Sequence, residues 1–339
     1  MWLSGWTYRK KITISGSSGA GTGYQVLLKV GESSGASGCD FHVEGHSENF
    51  PSDKNQSGDL RFTDDDGETL LSFWVEKVEG SSPNRVAYCW VKVNDSLDSD
   101  VDIYCYYGNA SASNVSNGDD TFEFFDDFEG TSLDTNKWEE HINTPGTASI
   151  SVHDSMLDIY HNWDDYSGDV TWVQTKNPVA SSDVNLTLEA MVKVDTINGN
   201  GDTAEYFINP TDDYYYRTSL WTSNNTGEVR RWSKTSAGDS GVITMVSSYS
   251  VNTWYRHKIK RKNATTTIFC HDSTEQTDSN YSAEISDVKV RLANGRNIER
   301  HAYWDWVFVR KYTDPEPAFS SAGSEETRGG NAIFFGINF

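Results

Sequence analysis

Residues 212–221, DDYYYRTSLW, indicate the fold of this chain. If the segment is extended, side chains alternate between its two faces, and Tyr214 and Tyr216 share one of them. Tyr215, Arg217 and Trp221 then share the opposite face. Both faces of this predicted strand carry rings, so one set points away from the core unless a neighbouring segment covers it.

The same period of two recurs along the chain, in segments rich in Val, Ile, Tyr, Trp and Thr that are bounded by Gly, Asn, Asp or Ser. The first third holds enough of them for a β-sandwich. About eleven more follow over about 190 residues, which favours a large two-sheet sandwich of the jelly-roll type. The predicted fold is therefore all-β, with a β-sandwich at residues 1–120, a jelly roll at 121–314, and a linker with an apolar tail at 315–339.

The composition limits the possible partners. The chain has 339 residues, of which 36% are hydrophobic, enough for two domains with separate cores. Its net charge of −22 disfavours nucleic acid and anionic lipid, because both would be repelled. Neutral glycans, cationic proteins and divalent metals remain possible.

The sequence also gives an expectation for location. No segment approaches the roughly 20 apolar residues of a membrane span, so no membrane span is expected. The first residues lack the apolar stretch of a signal peptide. Because the abundance of Ser, Thr, Asn, Asp and Gly is nevertheless typical of extracellular proteins, we expect an extracellular protein on a virion or a cell surface.

Two cysteines lie in segments that predict a hairpin, RVAYCWVKV and VDIYCYYG, joined by the turn-rich NDSLDSD. Centring that loop on Leu97 places Cys89 opposite Cys105 and Val91 opposite Ile103. The two cysteines are then either small buried side chains or a cross-strand disulfide.

Both predicted domains resemble known families. The segments WLSGWTYRKKITI, GDLRFTDDDGETLLSFWVEK and DIYCYYGN resemble a family of domains of unknown function from archaeal and bacterial surface proteins and virus-like sequences, over residues 1 to about 120. FFDDFEGTSLDTNKWEE and YWDWVFVRKY are similar to the concanavalin-A-like jelly rolls of laminarinase-like hydrolases and LamG-like sugar-binding modules. The two families commonly occur in tandem.

The resemblance to hydrolases raises the question of catalysis. Such hydrolases carry Glu-x-Asp-x-x-Glu or Glu-x-Asp-x-Glu on one strand, which puts their carboxylates on a single face. This sequence has no such run, and its nearest strand, LTLEAMVKVD, offers only Glu189 on the polar face. Because one carboxylate cannot act as both nucleophile and acid, the sequence predicts that the chain is not an enzyme.

The resemblance also implies a calcium site where the first and last strands of the jelly roll meet. The matching positions are Asp126 or Asp127 in FFDDFEG and Asp305 in YWDWVF. Carboxylate oxygens suit Ca²⁺, whereas the alternative is a turn-capping aspartate beside a solvated acid. The acidic run TDDDGET at 63–69 lacks the spacing of a calcium loop and favours a hairpin turn.

Exposed rings are candidates for sugar binding, because a flat ring stacks on the apolar face of a sugar. Trp163 and Trp232 lie in polar segments, and the alternating strand supplies further rings. The alternative is that these rings pack within the sandwich. The candidates are Trp163, Tyr214, Tyr216, Trp221 and Trp232.

The end of the chain, GGNAIFFGINF, also alternates, with Ile333, Phe335, Ile337 and Phe339 on one face. Burial of these four side chains would roughly offset the entropy of fixing the segment, so docking needs backbone pairing along a sheet edge. The hypothesis is assembly through this strand on another subunit, with docking on its own jelly roll as the alternative.

These observations favour a non-catalytic structural or adhesion protein that is displayed on a virion or cell surface and assembles through its C-terminal strand. The alternative is a carbohydrate-binding module that recognises a surface polysaccharide.

Overall fold

A computed structural model describes residues 1–142, 148–162, 170–197, 199–223, 226–296 and 299–329. It confirms the predicted all-β class. The chain forms two compact units. One contains Met1–Thr121 and the described residues from Thr313 onward, and the other contains Phe122–Tyr312.

The first unit is a sandwich of two four-stranded sheets. Its chain contains β1 (Tyr8–Ser15), β2 (Tyr24–Gly31), β3 (Phe41–His42), β4 (Arg61–Thr63), β5 (Phe73–Glu79), β6 (Val86–Val93), β7 (Val101–Tyr107) and a single helical turn, α1 (Gly118–Thr121). One sheet has the order β3-β2-β6-β5, and the other contains β1, β7 and β4 in that order. Alternating side chains from both sheets, such as Ile12, Leu28, Val91 and Ile103, meet in one core.

The second unit contains seventeen strands within the described residues. These are β8 (Phe124–Asp126), β9 (Trp138–His141), β10 (Ala148–His153), β11 (Met156–Asn162), β12 (Val170–Thr175), β13 (Ala180–Ser182), β14 (Leu186–Val194), β15 (Gly201–Ile208), β16 (Tyr215–Ser223), β17 (Thr226–Thr235), β18 (Gly238–Asp239), β19 (Ile243–Val246), β20 (Tyr255–Asn263), β21 (Thr266–His271), β22 (Thr274–Asp278), β23 (Ser286–Gly295) and β24 (Glu299–Lys311). They form two large sheets packed face to face, as expected for a jelly roll.

We name the two sheets after their central strands. The β14 sheet has the order β10-β11-β24-β14-β20-β21-β22, with β8 paired to β24. The β15 sheet has the order β18-β17-β16-β15-β23-β12-β9, with β13 paired to β23 and β19 to β17. Alternate residues of the central strands point into the shared core, as Leu188 and Ile259 do from one sheet and Phe207 and Leu220 from the other.

The predicted cysteine hairpin is wrong. β6 pairs with β2 and β5, whereas β7 pairs with β1 and β4, so the loop between them crosses from one sheet to the other. Cys89 and Cys105 are both buried free thiols that enter the core from opposite sheets. Val91 pairs with Val26 rather than with Ile103.

The predicted linker is also wrong over most of its length. Residues Ala318–Thr327 form β25, which pairs antiparallel with β1 and adds an edge strand to the sheet of the first unit. Arg9 and Glu326 form an ion pair of 2.8 Å across this pairing, and the hydroxyl of Tyr107 donates to Glu325 over 2.9 Å. The chain thus returns to its first unit after completing the second.

A buried polar network joins the two sheets of the second unit. Glu205 on β15 accepts a hydrogen bond from the indole of Trp304 over 2.8 Å and lies 2.6 Å from Nδ1 of His257. Nε2 of His257 lies 3.0 Å from Nδ1 of His271. Burial, and then the neighbouring His257, lower the pKa of His271 to about 4. This network is buried within the sandwich, so its protonation is linked to folding.

We expect removal of β25 to destabilise the first unit. A chain that ends at Asp314 should unfold at least about 4 °C below one that ends at Gly329, since ~1 kcal/mol produces a shift of this size in a domain of about 100 residues. The chain ending at Gly329 is the control, because it retains β25. Equal unfolding midpoints by circular dichroism would mean that the strand contributes nothing to stability.

We also expect His271 to weaken the fold in acid. Its pKa is about 6.5 when unfolded and about 4 when folded, so the unfolded chain takes up the proton first and stability falls as the pH drops from about 6.5 to about 4. The loss from this group is on the order of 3 kcal/mol. Denaturant unfolding at pH 7 and pH 4.5 should show a smaller decrease for His271→Gln than for the wild type. The same decrease in both would contradict the role of His271.

Candidate functional site

The outer face of the β15 sheet carries rings and charged side chains. Phe207, Leu220 and Val229 point into the core, so their sequence neighbours point outward. The outward positions include five half-buried rings, which we call the aromatic face: Trp172, Tyr206, Tyr215, Trp221 and Trp232. They come from four strands, β12, β15, β16 and β17, three of which are consecutive neighbours in the sheet.

Strand register arranges the outward side chains in rows. The middle row contains small residues on three adjacent strands, in which Ala293 pairs with Ala204 and Ala204 pairs with Ser219. All three are buried, and Trp172 pairs with Ala293 at one end of the row. The row therefore has large side chains at its margins and small ones at its centre.

The two neighbouring rows carry the charges. In one of them, Asp202 pairs with Trp221, which in turn pairs with Glu228. In the other, Tyr206 pairs with Arg217, which pairs with Trp232. The rows stand two residues, or about 6.6 Å, apart along the strands. Polar and aromatic groups thus alternate on both sides of the small-residue row.

A buried ion pair connects the two charged rows. Nη1 of Arg217 lies 2.7 Å from Oδ2 of Asp202, and the two side chains are only 4% and 3% exposed. The guanidinium of Arg217 lies 5.0 Å from the ring centre of Trp232 and 5.7 Å from that of Tyr206. Burial acts to lower the pKa of Arg217, but Asp202 and Tyr206 outweigh it, and the pKa is raised. The arginine is therefore charged at every working pH.

Other arginines stack on the rings of this face. The guanidinium groups of Arg230 and Arg296 lie 4.5 and 4.8 Å from the ring centre of Trp221, and that of Arg291 lies 4.4 Å from the ring of Trp172. Such contacts hold a ring in place and polarise its surroundings.

Two further rings are fixed by their neighbours. Tyr215 meets Tyr206 and Trp232 edge to face, and burial raises the pKa of Tyr215 to about 12. The indole N–H of Trp232 donates to Asp239 over 2.5 Å. The face is therefore a set of oriented rings rather than a mobile apolar patch, which suits recognition of a ligand with both polar and apolar surfaces.

The predicted sugar-binding residues lie in different parts of the second unit. Trp221 and Trp232 lie on the aromatic face, and Tyr214 is 39% exposed just before β16. Tyr216 is not a surface residue: it is fully buried in the core, where its hydroxyl donates to the carbonyl of Ala283. The prediction for Tyr216 is therefore wrong, because the opposite set of the alternation faces outward.

Five residues of this face were not among the candidates from the sequence: Trp172, Tyr206, Tyr215, Arg217 and Asp202. Alternation within 212–221 already grouped Tyr215 and Arg217 with Trp221, but it could not say which group faces the core. Trp163 lies outside the described residues, as do the predicted assembly residues Ile333, Phe335, Ile337 and Phe339.

Glu189 lies on the outer side of the β14 sheet, opposite the aromatic face, and is fully buried. Its carboxylate accepts from Arg310 over 2.7 Å and from Arg256 over 2.8 Å, and Lys258 lies 3.4 Å away. Burial acts to raise its pKa, but the three cations hold the pKa well below its usual range. Glu189 is therefore a structural anion in an ion-pair cluster.

Asp126, one of the predicted calcium ligands, has its hydrogen bonds within the second unit. Both oxygens of Asp126 are engaged within the protein, one by the backbone N–H of Phe128 over 2.8 Å and the other by the indole of Trp138 over 2.6 Å. Burial raises the pKa of Asp126. Asp127 and Asp305 do not join it in any close group of three ligands among the described residues. Calcium binding at Asp127 and Asp305 stays a prediction from the sequence.

One acidic group does gather elsewhere. Among the described residues, only Asp64, Asp65 and Asp95 bring three such ligand atoms within 4.8 Å of one another. Burial, and then the neighbouring carboxylates, raise the pKa of Asp64, although a backbone hydrogen bond from Asp65 acts to lower it. The run 63–69 forms the predicted turn, in which Asp66 accepts from the backbone of Glu68 and Thr69.

No described helix is long and apolar enough to cross a membrane. A model of a domain of unknown function, DUF2341, matches residues 56–141. The match covers about a quarter of the chain, beginning later than residue 1 and continuing past residue 121 into the second unit. A comparison with curated protein sequences finds no match.

Solved structures with a similar fold include enzymes that act on glycans. A β-glucanase of Bacillus licheniformis is 11% identical, with a TM-score of 0.43, over 56% of this chain and 97% of the other. An endo-acting O-glycanase of human gut bacteria is 13% identical, with a TM-score of 0.45, over 56% and 99%. An endo-β-galactosidase of Clostridium perfringens that releases GlcNAcα1-4Gal is 12% identical, with a TM-score of 0.43, over 62% and 65%.

These similarities correct one prediction. The absence of the hydrolase motif predicted that the chain is not an enzyme, but the solved structures that it resembles are glycoside hydrolases, so that prediction is wrong and is withdrawn. At these identities the likeness concerns the fold alone, and it assigns neither a substrate nor a reaction to this chain.

We expect the ion pair under the aromatic face to be important for stability. Asp202→Asn should lower the free energy of unfolding by about 3–5 kcal/mol, because it leaves the buried Arg217 without its counter-charge. Asp212→Asn is the control, since the pair between Asp212 and Arg291 is half-exposed and should contribute less than about 1 kcal/mol. Equal denaturation curves for the two variants would show that the buried pair is not needed.

Proposed function

We propose that the second unit binds a glycan chain across the aromatic face of the β15 sheet. The observation that carries this proposal is the set of five oriented rings, Trp172, Tyr206, Tyr215, Trp221 and Trp232, around a row of small side chains. A sugar has apolar faces that stack on rings and hydroxyl groups that bond to polar neighbours. A surface that offers rings and polar groups in alternate rows matches both properties.

Rigidity favours binding by such a face. The rings are held by neighbouring rings and guanidinium groups, so little conformational entropy is lost when a ligand stacks on them. The ion pair of Arg217 and Asp202 spans the small-residue row, because it joins the two charged rows on either side of that row. Its polar atoms can bond to the hydroxyl groups of a bound glycan, which would orient the glycan as well as strengthen its binding.

The similar solved structures support this proposal only through their fold. The O-glycanase, the β-glucanase and the endo-β-galactosidase have a similar fold. In this chain the outer face of the β15 sheet carries the rings of the aromatic face. Display outside a cell, on a virion or a cell surface, and assembly through residues 329–339 are further proposals that rest on the sequence alone.

Binding is tested by a glycan array with the full chain, followed by calorimetry with the best oligosaccharide. Trp221→Ala and Trp232→Ala should each raise the Kd at least about tenfold, since truncation of a ring anchor commonly costs more than ~1.4 kcal/mol. Trp254→Ala is the matched control, because Trp254 stacks with Lys193 of the β14 sheet and lies away from the aromatic face.

Two outcomes would contradict the proposal: no glycan binding by the wild type, or equal loss of affinity in the Trp254→Ala control. Release of reducing ends should be measured on the same oligosaccharide, because it separates a chain that only binds the glycan from one that also cleaves it.

A further inference from the structure

Several polar atoms beneath the aromatic face have no hydrogen-bond partner among the described residues. They are Nε and Nη2 of Arg217, Nε1 of Trp221, Oγ of Ser219 and Oδ1 of Asp202. All come from the neighbouring strands β15 and β16, and all point to the outer side of the sheet. Buried polar atoms are normally paired, so a cluster of unpaired ones on one face points to a missing partner.

The unpaired atoms are mainly donors. The guanidinium and indole N–H groups can only donate, and the hydroxyl of Ser219 can donate or accept. The remaining atom, Oδ1 of Asp202, is the sole obligate acceptor in the cluster when the carboxylate is ionised. Because the other oxygen of Asp202 is already engaged by Arg217, the cluster as a whole needs acceptor oxygens.

Positive charge is concentrated at the same place. Arg230 and Arg296 stack on Trp221, and Nε of Arg296 lies 3.7 Å from the same oxygen of Asp202 that pairs with Arg217. Arg230 has its own partner, Glu228, at 2.9 Å. Asp202 thus pairs with two arginines at once, so one negative charge faces two positive charges at this point of the face.

We infer that the glycan bound at this face is anionic and brings a carboxylate or a sulfate to Arg217 and Arg296. This inference rests on the proposed function and specifies its ligand. A guanidinium presents its donors in a planar fork that matches two oxygens of such a group. The ring centres of Trp232 and Tyr206 lie 5.0 and 5.7 Å from the guanidinium of Arg217, so a ligand that reaches this group also lies near a ring.

The test compares glycans that differ only in charge. The full chain is titrated by calorimetry with oligogalacturonate, with its neutral methyl ester, with a sulfated galactan oligosaccharide and with its desulfated form. At least one charged member should bind at least tenfold more tightly than its neutral counterpart, and added salt should weaken that preference. If the affinities differ within the uronate pair, the anionic group is a carboxylate. If they differ within the sulfated pair, it is a sulfate.

Variants show which residues produce the preference for the charged oligosaccharide. Arg296→Gln, whose side chain is 37% exposed in the wild type, should reduce the charged-to-neutral affinity ratio severalfold, because the affinity for the charged oligosaccharide should fall more than the affinity for the neutral one. Arg217→Gln should make the affinities for the charged and the neutral oligosaccharide equal. If loss of the buried ion pair prevents this variant from folding, Arg296→Gln still tests the proposal. Lys11→Gln removes a charge from the first unit and should leave the ratio intact.

The outcomes separate the two proposals. Equal or tighter binding of the neutral members would overturn the anionic ligand while glycan binding stands. A charge preference that survives Arg296→Gln unchanged would also overturn it. Failure of all four oligosaccharides together with failure of the glycan array would overturn both.

Discussion

The ion pair between Arg217 and Asp202 is the constraint around which the outer face of the β15 sheet is organised. Two opposite charges that are almost wholly buried need each other, since removal of either one leaves an unpaired charge away from water. Rings from neighbouring strands lie around the pair, and the register of β15, β16 and β17 holds them in place. Side chains on the outer face of the β15 sheet are therefore held in fixed positions, as side chains in a protein core are.

The alternation of side chains predicted much of the fold but not its orientation. A period of two shows that residues 212–221 form a strand with rings on both faces, yet it cannot tell which face meets the second sheet. Packing decides this. Tyr216 and Leu220 join the core with Phe269 and Val229, so Tyr215 and Trp221 must face outward.

Two predictions from short sequence segments were wrong because the strands there pair with strands that are distant in the sequence. The turn-rich segment between Cys89 and Cys105 is typical of a hairpin, but here it crosses between the two sheets of a sandwich. The segment 318–327 has small, polar and mostly exposed residues, as a linker does, yet it forms an edge strand. An edge strand obtains much of its pairing from the backbone, which leaves little trace in the side-chain pattern.

The candidate site was the part of the molecule least accessible from sequence, because it is assembled from strands that are far apart in the chain. Only strand register places Asp202 within 2.7 Å of Arg217 and brings Arg296 against Trp221. The most direct test of the account is a crystal structure of the full chain with a bound oligosaccharide. The account predicts a sugar stacked on Trp221 or Trp232, with its polar groups toward Arg217. A sugar bound only to the first unit or to the β14 sheet would contradict it.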